Sequence, residues 1–317
     1  MPISLFPNAQ AFQAPESGTV VVIGNFDGVH VGHVAVLRRA LEISEARGLA
    51  PVVLTFNPHP AEVLGHKKLP QLTTLEFKAE LIAQVSGAIS IVAEPFTLEL
   101  AAKSPSEFAR ELLVQKLEAR HVMVGENFAF GKQRSGNFKD LRALGEELGF
   151  SAEALPLIGD ANGPYSSSRV RQALDLRSLT EVTVVLGRPH ALSGLVVHGQ
   201  GRARTLGFPT ANLAQVSEAL PRYGVFAVLV DQLTALGPKR LGGGVANIGE
   251  RPTLGAGFSV EAHIFDFHQD LYGERLRLHL VERLRDEHKF GSADELKAQI
   301  ERDLAAGREI LALPRPR

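Results

Sequence analysis

Val20-Val21-Val22-Ile23-Gly24-Asn25-Phe26-Asp27-Gly28-Val29-His30-Val31-Gly32-His33 runs from a strand through a glycine-rich turn into a helix. Four consecutive β-branched residues, Val20 to Ile23, favour an extended and fully buried strand. The glycines let the backbone turn tightly and come close to a ligand. Past them, Val34, Leu37, Leu41 and Ile43 predict an amphipathic helix from Val34 to about Arg47. A helix start offers unpaired N–H groups and the positive end of a dipole, which suits phosphate. His30 and His33, three residues apart there, can donate hydrogen bonds to phosphoryl oxygens. A bare histidine pair also fits a helix surface or part of a zinc site. Zinc would need further ligands, and the chain has no cysteine to supply them.

The pattern Gly24-x-Phe26-Asp27-Gly28-x-His30-x-Gly32-His33 resembles the HxGH signature of the nucleotidyltransferase superfamily. With Phe-Asp-Gly-Val-His in it, the stretch is similar to the adenylyltransferase module of prokaryotic bifunctional riboflavin kinase/FAD synthetases. The resemblance implies that His30 and His33 act on ATP phosphates, and that Gly24, Phe26, Asp27, Gly28 and Gly32 line the nucleotide site.

Downstream, strands alternate with helices, which implies a doubly wound parallel sheet. Pro51–Phe56 reads as a second strand, stopped by Asn57-Pro58-His59-Pro60, where two prolines forbid continuation. Residues 61–75 look like a loop or flap. Further expectations are a helix over Leu75–Val85, a strand over Ala88–Ala93, a helix from Ser104 to Leu117 and a strand over Arg120–Val124. A helix over Phe138–Leu148 and a strand over Phe150–Leu157 follow. Asn57 lies beyond the carboxyl end of its strand, where open α/β sheets bind ligands; it matches the family's Asn-Pro-x-Pro element. Gly125-Glu126-Asn127-Phe128-Ala129-Phe130-Gly131 resembles a segment at the flavin side of the adenylylation site. Asn127 and Phe128 carry that likeness, and Ala129 departs from the arginine often found there. Ser166-Ser167-Ser168-Arg169-Val170-Arg171 opens a helix to about Leu176. On the residues alone it is an N-cap; by the resemblance Ser168 and Arg171 meet the triphosphate, which suits a permanent planar fork.

Near residue 180 the pattern changes to period-two strands and glycine turns, so the domains divide as 1–182 and 183–317. Strands are expected at Leu192–His198, Tyr223–Asp231, Leu241–Ile248, Ser259–Phe267 and Glu274–Val281. In the last of these, Arg275, Arg277 and His279 share one face, and Leu276, Leu278 and Leu280 the other. Closing such strands into a Greek-key barrel removes their edges. Ser292-Ala293-Asp294-Glu295 is a capping-box pattern opening a C-terminal helix.

Gly199 to Asn212 reads by itself as a surface loop, since no Walker lysine occurs in it. Gly207-Phe208-Pro209-Thr210-Ala211-Asn212, however, resembles the PTAN signature of riboflavin kinases. That resemblance assigns Thr210 and Asn212 to Mg²⁺, and Gly207 and Pro209 to nucleotide. Glu261, alone an ordinary strand carboxylate, matches the family's Val-Glu-x-His strand, whose glutamate is the general base on the flavin 5′-hydroxyl. Asn247–Thr253 resembles the adjoining family loop, and Arg285 with Glu287 falls near the flavin flap. Phe226 stands where tyrosine is common, and His190 where Tyr or Phe is usual.

A chain of 317 residues suggests two domains, each able to bury its own core. With 34 basic and 35 acidic residues, no global field recruits nucleic acid or a membrane surface. The absence of cysteine excludes disulfides, thiolate catalysis and iron–sulfur clusters. The N-terminus shows no signal-peptide pattern and no apolar run of about 18 residues occurs, so a soluble cytoplasmic protein is expected. The implied function is bifunctional: riboflavin plus ATP to FMN, then FMN plus ATP to FAD and pyrophosphate, with Mg²⁺ in both sites. A kinase that has lost adenylylation and a non-catalytic flavin- or nucleotide-binding regulator are the two other readings, and a homo-oligomer stays open.

Overall fold

The computed structural model describes residues 3–65, 69–199, 206–250 and 257–312. It divides into two compact units, Met1–Leu69 with Thr73–Ser167, and Pro70–Leu72 with Ser168–Arg317.

The first unit is built on strands β1 (Leu5–Phe6), β2 (Thr19–Ile23), β3 (Ala50–Phe56), β4 (Ser90–Glu94) and β5 (Ala119–Gly125). Then come a short hairpin, β6 (Ala129–Phe130) with β7 (Gly136–Asn137), then β8 (Ser151–Leu155), and a second hairpin, β9 (Gly159–Asp160) with β10 (Gly163–Pro164). The main sheet has the order β1-β4-β3-β2-β5-β8 and every pairing in it is parallel. Val20, Val21 and Val22 are buried, as a central strand covered on both faces requires. One face, with Val21 and Ile23, packs on Phe108, Leu112, Leu113 and Leu141 from helical segments. The helix Val31–Arg47 buries Leu37, Ala40 and Ile43 outside that cluster, against β2, β3 and β5. From β2 the chain winds through β3 to β4, then returns to the other side of β2 as β5. That reversal is a topological switch point, where open sheets hold ligands beyond the strands' carboxyl ends.

The second unit is a closed antiparallel barrel. Its strands are β11 (His190–Val197), β12 (Ala211–Ala214), β13 (Gly224–Thr234), β14 (Gly237–Glu250), β15 (Phe258–Ile264) and β16 (Arg275–Asp286). They run β11-β12-β15-β14-β13-β16 and close back on β11. Successive strands β13, β14 and β15 form a meander and β16 returns beside β13, which is a Greek key. The helix Ala293–Ala312 packs on β13 and β14, and Gly307 lets it approach Val245 closely.

Several elements differ from expectation, each for a local reason. The first helix begins at Val31 rather than Val34 because His30 caps it, Nδ1 accepting from the His33 N–H at 3.3 Å. Part of the 61–75 loop is a short helix, Pro60–Val63, capped by His59. Beyond Glu107 the expected α-helix widens into a π-helix over Phe108–Lys116, so that Leu117 N–H donates five residues back to Leu112. Leu179–Leu186 is a helix that the sequence reading missed. Its β-branched residues have low helix propensity, but Ser178 caps it and Leu179, Val182, Val185 and Leu186 bury one helical face. Ala211–Ala214, whose first two residues fall in the expected Gly199–Asn212 loop, pairs with β11 and β15. In the capping pattern at 292–295, Ser292 accepts from Glu295 N–H, yet the Glu295 carboxylate reaches back to Gly291.

Candidate active sites

The Gly24–His33 turn lies at the carboxyl end of β2, on the switch point. Its path is strained. Phe26 and Val29, both buried, hold φ of 49° and 40°, where a bulky or β-branched residue is an outlier. Gly28, at φ 80°, takes the left-handed conformation without that cost. A net of hydrogen bonds holds the path. Gly24 N–H donates to Leu54 O (3.1 Å), Gly28 N–H to Thr73 Oγ1 (3.2 Å), and Ser167 Oγ to Asp27 O (2.8 Å). Thr73 N–H donates to the Asp27 carboxylate at 3.3 Å.

Beyond the turn, His30 and His33 stack with ring centroids 3.6 Å apart, and Phe26 lies 4.8 Å from His33. Because His30 Nδ1 accepts a backbone N–H, its neutral ring carries the proton on Nε2 and is a donor there. A methyl on Gly32 would press on the His30 ring at 3.1 Å, so the small residue between the histidines lets the cap form. Asn57 follows β3, its N–H bonded to Glu94 O at 3.1 Å, and the Asn25 carboxamide lies 3.1 Å from His59 Nε2. Asn127 is exposed after β5, while Phe128 stacks on Phe130 at 5.3 Å. Ala129 pairs with Asn137 in the hairpin that follows. Ser168 and Arg171 lie in the helix Ser167–Asp175, and Arg171 Nε donates to Pro70 O at 2.9 Å.

In the barrel, strand register brings the candidate residues together. Asn212 on β12 is opposite Glu261 on β15, and Glu261 is opposite Asn247 on β14. Paired residues across adjacent strands point the same way. Asn212, Glu261 and Asn247 therefore form one row, half-buried, while Val260, Ala262 and Ile264 fill the alternate, buried positions. His263 shares the face of Glu261 and holds the Pro209 carbonyl through Nδ1 at 2.8 Å, which ties the turn carrying Thr210 to the same strand. Gly199 packs so closely on Asn212 that a Cβ there would overlap its carboxamide. Gly207 and Pro209 are exposed beside this turn. Glu287 lies against the Gly249 backbone. Arg285 is committed to the buried Asp303 of the last helix through Nε at 3.0 Å and Nη2 at 2.8 Å. Phe226 is buried under the Arg283 guanidinium, and His190, also buried, donates to Ala219 O at 2.7 Å. Arg277, on the polar face of β16, is buried rather than solvated.

Residues 200–205 and 251–256, which belong to the Gly199–Asn212 and Asn247–Thr253 stretches of the sequence reading and the positions after them, lie outside the described residues. Sequence reasoning overlooked Asn247 as a neighbour of the carboxylate, His263 as the anchor of the Pro209 turn, and Ser167 as the bond to Asp27. The first two needed register, which a single strand does not show; Ser167 sits in the quoted serine run.

A phosphate-suited turn at the switch point of a parallel sheet, followed by a barrel presenting a carboxylate–carboxamide row, defines a two-part transferase acting on nucleotides. Family models agree with this division, FAD synthetase matching residues 12–169 and riboflavin kinase residues 186–311. The chain is 40% identical to the bifunctional riboflavin kinase/FMN adenylyltransferase of Escherichia coli K12 over 306 residues, 96% of each chain. It is 35% identical to that of Bacillus subtilis over 297 residues, 91% of each. A crystal structure described as a macrolide-efflux protein from Streptococcus pneumoniae superposes with a TM-score of 0.82 at 29% identity, covering 99% of this chain and 100% of that one. No helix among the described residues is long and apolar enough to cross a membrane. The chain belongs to the family of bifunctional riboflavin kinase/FMN adenylyltransferases.

Proposed function

We propose that the two activities are divided between the parallel-sheet unit and the barrel, with the boundary placed at 182/183. The chain phosphorylates riboflavin with ATP to FMN, and adenylylates FMN with a second ATP to FAD and pyrophosphate.

In the barrel step, the riboflavin 5′-hydroxyl oxygen forms a bond to the γ-phosphorus while the bond to the β-phosphate oxygen breaks. The hydroxyl proton goes to Glu261, and ADP leaves. The observation that carries this assignment is the row Asn212, Glu261, Asn247, which gives the base a fixed place beside two oxygen-bearing carboxamides. Thr210 and Asn212 supply the hard oxygen donors that suit Mg²⁺. The ion would offset phosphate charge during transfer. Gly207 and Pro209 flank the nucleotide, and Glu287 borders the flavin. Arg285 serves the flavin through the segment it fixes, since its fork is held by Asp303.

In the sheet step, an FMN phosphate oxygen attacks the α-phosphorus of ATP and pyrophosphate leaves. The nucleophile is already anionic, so alignment and charge stabilisation suffice. His30 and His33 donate to the phosphates, and Gly24, Phe26, Asp27, Gly28 and Gly32 shape the nucleotide pocket. Asn57, Ser168 and Arg171 assist, Asn127 and Phe128 meet the flavin, and Mg²⁺ would accompany this ATP as well. Dependence of both steps on ATP supports a cytoplasmic location.

The test is a chromatographic time course with purified protein, riboflavin, ATP and Mg²⁺. FMN should appear first and convert to FAD. FMN accumulating without FAD would remove adenylylation, and no product would remove both activities.

A further inference from the structure

We propose that Lys78 is a positioning residue for adenylylation, a buried ammonium that locks the strained nucleotide turn from beneath. The proposal rests on the adenylylation reading of that turn. Lys78 sits in the first turns of the helix Leu75–Val85, between the buried residues Phe77 and Ala79, and is itself 8% exposed. A lysine on the core side of a short helix is out of place by the usual amphipathic rule. A buried cation persists only where fixed dipoles or charges compensate it. Here the compensation is the turn itself. Lys78 Nζ donates to Asn25 O at 2.8 Å and lies 3.4 Å from Thr55 Oγ1, which in turn donates to the same Asn25 O at 3.0 Å. Burial pushes the ammonium below its ordinary pKa, and the Asp27 carboxylate pulls it back.

The place of this contact gives it a function. Asn25 directly precedes Phe26, the first of the two non-glycine residues held at positive φ, and Asp27 follows. Strained conformations of this kind persist only where the surroundings over-determine them. The Thr73 and Ser167 hydroxyls that hold the turn each make one bond to it; Lys78 Nζ reaches both the Asn25 carbonyl and the Thr55 hydroxyl, and from its ammonium form such bonds are about twice as strong as neutral ones. The ammonium thus clamps the start of the turn to β3, while the other end of the turn delivers His30 and His33. The hydrogen bonds of Lys78 Nζ go to Asn25 O and Thr55 Oγ1, so it acts through backbone position.

The test compares the full-length wild type with Lys78→Met and Lys78→Arg. Lys78→Met keeps length and packing and removes the charge; Lys78→Arg restores a cationic donor. Hydrogen exchange of the peptide spanning residues 24–33 should quicken at least about tenfold in Lys78→Met and stay near wild type in Lys78→Arg. In FAD formation from supplied FMN, kcat/KM for ATP should fall about tenfold to a hundredfold in Lys78→Met. FMN formation from riboflavin should remain at the wild-type rate, which also verifies that the variant chain is folded. Unchanged exchange at 24–33 in Lys78→Met overturns the proposal. So does quickened exchange with an unchanged kcat/KM, which reduces Lys78 to a stabilising contact. Should the wild type make no FAD, the adenylylation reading fails by itself, and a failure of Lys78 to hold the turn would still be visible in the exchange.

Discussion

Replacing Glu261 by Gln tests its proposed role as the kinase base. The substitution keeps side-chain length, shape and one carbonyl oxygen, and removes the charge and the ability to take a proton. Register fixes the surroundings: Asn212 on one side and Asn247 on the other, with cross-strand Cβ separations of about 4.5–5.5 Å. Glu261 is half-buried on the face opposite Val260 and Ala262, so an isosteric change leaves the packed interior intact. Its structural cost should stay within about 1 kcal/mol. Loss of a general base typically costs about 10²–10⁴ in rate, or roughly 3–5 kcal/mol of transition-state stabilisation. The assay is the initial rate of FMN formation at saturating riboflavin and ATP, alongside FAD formation from supplied FMN by the same preparation. FMN formation should drop by at least about a hundredfold, with FAD formation retained. A Glu261→Gln protein making FMN within tenfold of the wild-type rate would refute the assignment of the base. Loss of both activities from a protein with an intact melting transition would refute the separation of the two sites.

Two further predictions follow from packing and charge. A methyl at Gly199 would overlap the Asn212 carboxamide, so Gly199→Ala should lower the kinase rate about tenfold to a hundredfold through misplacement of that residue. FAD formation from FMN should be untouched, and an unaltered kinase rate would show that Asn212 need not hold this position. Asp231 is buried on β13, where it accepts from His279 Nε2 at 2.8 Å and pairs with Arg240. Burial pushes its carboxyl up, but the hydrogen bonds and charges of His279 and Arg240 prevail and hold it below the usual 3.8. A folded value below the unfolded one adds stability above about pH 4, which is lost as pH falls through the folded value. Asp231→Asn should therefore melt lower at neutral pH and lose less stability between neutral pH and pH 3 than the wild type; equal acid slopes in both would count against the pairing.

The sheet was legible because its signals are local. Val20–Ile23 and Val52–Leu54 are apolar runs bounded by glycine or proline, and a central parallel strand can be little else. The cap of the first helix was not legible, because the capping group is the imidazole of His30, outside the usual Ser, Thr, Asp and Asn set. The same histidine was therefore found as a chemical group and missed as a structural one. Leu179–Leu186 was hidden for the opposite reason: its composition favours strand, and burial of Leu179, Val182, Val185 and Leu186 overrides propensity. In the barrel, Glu261 could be picked out only by resemblance. What gives it a defined setting is pairing of β15 with the preceding strand β14 and with the distant β12, and no pattern within a single strand encodes that register.

The two proposed sites differ in residue type as the two reactions differ in need. A hydroxyl nucleophile must lose its proton as it attacks, so the barrel requires a base on a rigid element. Glu261 stands in the middle of a three-strand row, and His263, two residues on, ties down the turn that carries Thr210. A phosphate nucleophile has no proton to lose at neutral pH, and a carboxylate close to it would repel both substrates. At the sheet turn the one acidic side chain, Asp27, is 4% exposed and faces the Thr73 N–H, whereas the groups presented along the helix start are imidazoles and backbone N–H. The negative group is thus partnered inside the turn, beside Thr73 and toward Lys78, while His30 and His33 stand at the helix N-terminus. An Asp27→Asn variant keeps the Thr73 bond while removing that charge. If the carboxylate's task is internal to the turn, FAD formation should fall by less than about tenfold, and a larger loss would place Asp27 among the groups acting directly on the nucleotide or its metal.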